Sequence, residues 1–233
     1  MAKDKISELV NNIKELYIKN DYKFFKDEIL NISTDYSPLP LEYRQGFMIF
    51  DTKNCNNDYK HRYYAYYDLR MSKEEDEKLL TFILFNPSFA NVSDCDPTIS
   101  NCIRLAQKSN LFNAIEVLNI YSYRCATVSK KCIEGNETNK DFIKEYLSPQ
   151  KNLSSQKNLV EAWGFGKENK KIFKNDIEEI KEIISKYSHK KYKLNVKKDV
   201  LNTLNDKIFH PAGSSWSVFG GFDIAAELTE MDT

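Results

Sequence analysis

The stretch LLTFILF (79–85) constrains the fold more than any other part of the chain. It is an unbroken apolar run of strand length, and such a run is stable only where both of its faces are covered, as in the centre of a parallel sheet. Three further runs share this character: AIEVLNI (114–120), NLVEAWG (158–164) and YKLNV (192–196). Helical patterns lie between them. Asp96-Pro97-Thr98 places a capping carboxylate ahead of a proline at the first helical position, and Ile99, Cys102, Ile103 and Ala106 follow on one face. Residues 139–147 read as a second helix. Phe173, Ile177, Ile180, Ile184 and Tyr187 form the apolar stripe of a third. Strand–helix alternation of this kind predicts a three-layer α/β fold, with a central parallel sheet of about four strands and helices on both faces.

The segments before Leu79 are less regular. HRYYAYYDL (61–69) reads as one or two strands. Ile6, Leu9, Val10, Ile13, Leu16 and Tyr17 recur at helical spacing behind Asp4, and residues 33–45, with two prolines, read as a linker. The expected organisation is therefore a helical extension and linker over 1–45, followed by a single α/β domain over 46–233. Just before the third predicted strand, SPQKNL (148–153) is followed at once by SSQKNL (154–159), a duplication of the kind surface loops tolerate.

Charge and cysteine usage exclude some roles. Lys and Arg total 34, as do Asp and Glu, so any nucleic-acid contact has to come from a local patch. The basic stretch 186–198, KYSHKKYKLNVKK, supplies one, and Lys190, Lys191 and Lys193 are its expected phosphate contacts. No apolar run approaches the roughly 18 residues of a membrane helix, and the first residues lack a signal-peptide core. Five cysteines with no Cys-x-x-Cys pair read as reduced thiols of a cytoplasmic protein. His61, His189 and His210 show no ligand spacing, so neither a metal nor another cofactor is expected.

Ligands of open parallel sheets bind beyond the carboxyl ends of the strands. There this chain places Asn86-Pro87-Ser88, Asn119 through Arg124, Trp163-Gly164 and a loop reaching His210-Pro211. Asp94 and Asp96 precede the first helix. Asp96 suits a cap, which leaves Asp94 as an alternative base at a pocket mouth.

Residues 82–131, with Asn-Pro-Ser, Asp-x-Asp-Pro-Thr and a strand ending Val-x-Asn-x-x-x-x-Arg, resemble an uncharacterised bacterial and phage family known only as a domain of unknown function. That resemblance extends over roughly 61–216 and implies no activity; a role in phage defence would suit the family's distribution. LFNPS (84–88), VLNIY (117–121), EAWGFG (161–166) and FHPAGSS (209–215) are also similar, in order and spacing, to the motifs of the uracil-DNA glycosylase superfamily. This second resemblance implies a glycosylase-like fold and roles for individual residues. Asn86 would position the attacking water, Asn119 would read the base edge, and His210 would stabilise charge on the departing base. Ser214 or Ser215 would touch the DNA backbone. Pro87, Ser88, Phe89, Tyr121, Arg124 and Trp163 complete the expected substrate contacts. Departures from the motifs have consequences of their own. Leu84 replaces a glycine. Asn86 stands where the fastest members carry aspartate and, as an amide, cannot deprotonate water. Ser88 replaces a tyrosine that blocks 5-substituted pyrimidines. The expected function is recognition and excision of an extruded, modified pyrimidine from DNA. The alternatives are a non-catalytic base or nucleotide sensor of the same fold and an enzyme of free nucleosides or nucleotides.

Overall fold

The computed structural model describes residues 45–50, 60–72, 74–88, 96–125, 130–133, 136–147, 157–164, 171–186, 189–196 and 226–231. Seven strands form one sheet: β1 (Gln45–Phe50), β2 (Arg62–Asp68), β3 (Leu79–Leu84), β4 (Ala114–Asn119), β5 (Asn158–Glu161), β6 (Lys190–Val196) and β7 (Ala226–Glu230). Their order is β1-β2-β4-β3-β5-β6-β7. The helices are α1 (Pro97–Ser109), α2 (Asn136–Leu147) and α3 (Lys171–Ser185).

The expected four-stranded parallel sheet is present as the centre of a larger one. β4, β3, β5 and β6 run parallel, while β1 and β2 extend the sheet antiparallel on one side and β7 does so on the other. The sheet is therefore mixed and seven-stranded. The added strands escape the period-based reading for identifiable reasons. AELTE is built largely of good helix formers, and its strand state comes from pairing with β6. QGFMIF has no alternation to show, and it begins at the boundary expected for the linker. The proposed N-terminal helix lies outside the described residues.

Side chains of the central strands alternate between two cores. Leu80, Phe82 and Leu84 of β3 and Ile115 and Val117 of β4 meet Ile99, Cys102, Ile103 and Ala106 of α1 on one face. Ile83, Leu118 and Leu159 meet Phe142, Ile143 and Tyr146 of α2 and Phe173, Ile177 and Ile180 of α3 on the other. Helices thus cover both faces in three layers, as the apolar runs predict. α1 starts as its sequence requires: Asp96 accepts from the Ile99 amide at 2.8 Å with Pro97 in the first turn. It ends on Asn110, which adopts the left-handed conformation (φ 55°).

One interaction set ties β4 to its surroundings. The Glu116 carboxylate is fully buried and takes hydrogen bonds from Thr81 Oγ1 (2.5 Å), Tyr64 Oη (2.8 Å), Tyr146 Oη and Lys157 Nζ (3.0 Å). Burial pushes its pKa up, but the Lys157 ammonium and these donors outweigh that and hold the carboxyl below its ordinary range. Lys157 belongs to the second hexapeptide copy, so that copy does not lie wholly in a surface loop. Lys157 and Leu159 of that copy are buried, and Asn158 and Leu159 begin β5.

Candidate functional site

Connection order decides where a site forms. From β3 the chain crosses by α1 on one face to β4; from β5 it crosses by α3 on the opposite face to β6. β3 and β5 are neighbours, so at their carboxyl ends the chain departs in opposite directions. That is the topological switch point, where open α/β sheets form a ligand crevice. Asn86-Pro87-Ser88 follow β3 there, and Trp163-Gly164 follow β5. Gly164 has φ 100°, a left-handed conformation that favours glycine.

The chain beyond β4 is stitched to the Asn-Pro-Ser turn. The Ile120 and Tyr121 amides donate to Leu84 O and Phe85 O at 2.9 Å, the Cys125 amide donates to Pro87 O at 3.0 Å, and Arg124 Nε donates to Ser88 O at 3.2 Å. Asn86 Nδ2 donates to the Cys125 carbonyl at 2.9 Å and to Pro87 O at 3.2 Å. Since carbonyls only accept, these contacts fix which way the amide faces, and Oδ1 is left without a donor among the described residues.

Asn119, the last residue of β4, pairs in register with Leu84 and shares its α1-facing side of the sheet. It has no exposed surface, and neither Nδ2 nor Oδ1 has a hydrogen-bond partner among the described residues. Buried polar groups are almost always paired. Nearby, Asn139 Nδ2 donates to Asn119 O (2.7 Å) and Ile120 O (2.8 Å), while its Oδ1 is unpartnered. Asn136 at the start of α2 and the indole N–H of Trp163 are likewise buried and unpartnered. All of these groups come from the carboxyl edge of the sheet, the Asn119 side chain on the α1-facing side and Trp163 in the opposite core.

The structure distributes the other expected residues unevenly. Asn86, Pro87, Ser88 and Arg124 form one turn beside the end of β4. Trp163 belongs to the opposite core, beneath Lys181 (5.6 Å from its ring). Tyr121 is also in that core, its hydroxyl donating to Asp176 at 2.6 Å, and Asp176 pairs with Lys140. Lys190 pairs with Glu230 at 2.7 Å, and Lys190 and Lys191 lie in register with Asn158 and Leu159 at the start of β5, remote from the crevice. Phe89, Asp94, His210, Ser214 and Ser215 lie outside the described residues.

One residue at this edge escaped the sequence reading. Because β2 runs antiparallel to β4, its beginning reaches the crevice side, and His61 bridges Tyr123 there. His61 is buried, with Nδ1 2.9 Å from Ser122 Oγ and its ring edge-on to Tyr123 at 5.5 Å. No spacing in the sequence announces it; only the antiparallel pairing does.

The fold is a three-layer α/β arrangement with a mixed sheet, and its switch point carries the Asn-Pro-Ser turn, tied by Arg124. The family described as "Protein of unknown function (DUF1643)" matches residues 66–212, well over half of the chain, and the chain belongs to that family. No curated protein and no solved structure matches it. Among the described residues, no helix is long and apolar enough to cross a membrane.

Proposed function

We propose that the chain is a DNA glycosylase-like protein that recognises an extruded, modified pyrimidine and hydrolyses its bond to the sugar. The observation that carries this reading is the fully buried, unpartnered amide of Asn119 at the end of β4. A carboxamide both donates and accepts, which matches the paired edge of a pyrimidine, and a base has to leave the duplex to reach such a group. Asn86 supports the chemistry: its locked Nδ2 leaves Oδ1 to accept from a water. In the proposed reaction that water attacks the anomeric carbon, the glycosidic electrons leave with the base, and the water's proton passes to solvent or to the base. Asn86 orients the water without deprotonating it, so turnover is slow. Ser88 leaves room beside the pyrimidine 5-position. His210 would stabilise charge on the departing base, as a preorganised donor does, and Lys190, Lys191 and Lys193, at the far edge of the sheet, would contact phosphates only of flanking duplex.

The test is incubation of the purified chain with duplexes carrying uracil, mismatched thymine, hydroxymethylated or glucosylated pyrimidines, followed by detection of abasic sites. Asn86→Ala and His210→Ala are each expected to lose on the order of 10²-fold in rate. Base release retained in both variants overturns the assignment of roles. Tight binding without release supports the sensor, and cleavage of a free nucleoside alone supports the third reading. Replacing the three lysines with Gln is expected to flatten the salt dependence of DNA binding by about 0.9 log units per lost contact; an unchanged slope returns them to a solvated strand edge.

A further inference from the structure

The amino edge of the sheet, opposite the crevice, carries an exposed apolar surface. Four large apolar side chains stay exposed among the described residues, and three of them lie here: Met71 (70%), Leu111 (50%) and Met231 (43%). Met71 follows β2, whose last residue pairs with Ala114 at the start of β4. Leu111 precedes β4, and the Leu69 amide joins the two turns by donating to Asn113 O at 2.9 Å. Met231 follows β7, and its amide donates to Lys191 O near the start of β6. Among these segments opens a cavity of about 420 Å³ with Leu79, Leu111, Phe112 and Tyr192 in its wall. Apolar side chains gathered on one edge mark a contact surface, as single exposed residues do not.

The path of the chain points to what covers it. β1 begins at this edge, since Gln45 pairs with Asp68, and β4 lies two strands from β1, about 10 Å away. The amphipathic run Ile6, Leu9, Val10, Ile13, Leu16 and Tyr17, outside the described residues, precedes β1. Residues 18–44 join the two, and a coil of that length spans roughly 30 Å. Charge is complementary as well. At about 100° per residue, Lys5 and Lys14 flank the apolar stripe on its two sides, and Glu8 and Glu15 fall opposite it. On the amino edge, Glu74, Glu75 and Asp76 are exposed in the turn that carries Met71, and none of them forms an ion pair among the described residues. They outnumber Lys78, the one described cation beside them.

We propose that residues 4–17 pack as a helix on the amino edge of their own chain, with the apolar stripe on Met71, Leu111 and Met231 and a flanking lysine on the acidic turn. The connection through residues 18–44 makes the contact intramolecular, at an effective concentration on the order of millimolar. The segment is then part of the domain rather than an arm that recruits a partner. This goes beyond the glycosylase reading and does not depend on it.

The experiment is photo-cross-linking of the full chain with p-benzoylphenylalanine in place of Leu111, which is half-exposed. The same replacement of Ile172, the exposed apolar residue where α3 begins at the carboxyl edge, is the control. Mass spectrometry of the products is expected to show cross-links from position 111 to residues 4–17 in species of monomer mass, and none to them from position 172. Leu9→Asp/Ile13→Asp is expected to lower the yield at position 111 by about fivefold or more, because two apolar anchors are lost. Cross-links to residues 4–17 only in species of dimer mass overturn the proposal and make a second copy the occupant. So do cross-links from position 111 that miss residues 4–17, equal yields from the two positions, or a yield at 111 that Leu9→Asp/Ile13→Asp leaves unchanged.

Discussion

Asn119→Leu tests whether the carboxyl edge is held in readiness for a ligand. The wild-type side chain occupies a position with no solvent exposure, in register with Leu84 and on the face lined by Phe82, Leu84 and Val117. Its two polar atoms have no partners there. An unsatisfied buried group costs about 1–3 kcal/mol, and removing it in favour of an apolar side chain of similar size recovers that amount. Asn119→Leu is therefore expected to stabilise the free protein by about 1–3 kcal/mol, and each kcal/mol raises the melting temperature of a chain this size by about 2–4 °C. The same change is expected to abolish recognition of the base. Urea denaturation of wild type and variant measures the first effect, and binding to a base-modified duplex measures the second. A stability gain with loss of binding marks an amide retained for function. A loss of 1 kcal/mol or more would refute the reasoning, because it would mean that Asn119 is satisfied in solution, by water or by chain outside the described residues.

Two other predictions concern the amino edge. Lys157→Met leaves the Glu116 carboxylate buried without its cation, and a loss on the order of 3–5 kcal/mol is expected in chemical denaturation, largely recovered in the double variant Lys157→Met/Glu116→Gln; a single variant within 1 kcal/mol of wild type contradicts it. His189 is pushed down to about 4 by burial and by the nearby Lys157 and Lys191 ammonium groups. Its native form stays neutral where the unfolded chain takes up a proton, so its contribution is present above pH 6.5 and is lost as pH falls toward 4, by at most about 3 kcal/mol. His189→Gln is expected to flatten stability against pH in that window, and an unchanged slope refutes the assignment.

The parts of the fold legible in the sequence are those fixed by local burial and capping. LLTFILF and AIEVLNI are buried on both faces because α1 lies on one side of them and α2 and α3 lie on the other. Asp96-Pro97 announces α1 because a carboxylate cap and a proline satisfy or remove its first orphan donors. What stayed hidden depends on distant pairing. AELTE becomes a strand only against β6, and His61 reaches the crevice side only because β2 is antiparallel to β4. The same holds within the site. That Asn86 and Asn119 stand at strand ends is visible in the residues, but that Cys125 O holds Asn86 Nδ2 requires the fold. Tyr121 shows the converse: its position after β4 suggested a ligand contact, and the structure gives its hydroxyl to Asp176 instead.

The two edges of the sheet differ in the kind of buried polar group they hold. At the amino edge Glu116 engages three hydroxyls and a cation, an arrangement that resists rearrangement because removing the cation leaves a charge in the core. At the carboxyl edge Asn119, Asn136, Asn139 and Trp163 keep polar atoms without partners. Folding alone does not favour that distribution, since each such atom lowers stability. It is favoured where a ligand or an ordered water supplies the missing hydrogen bonds.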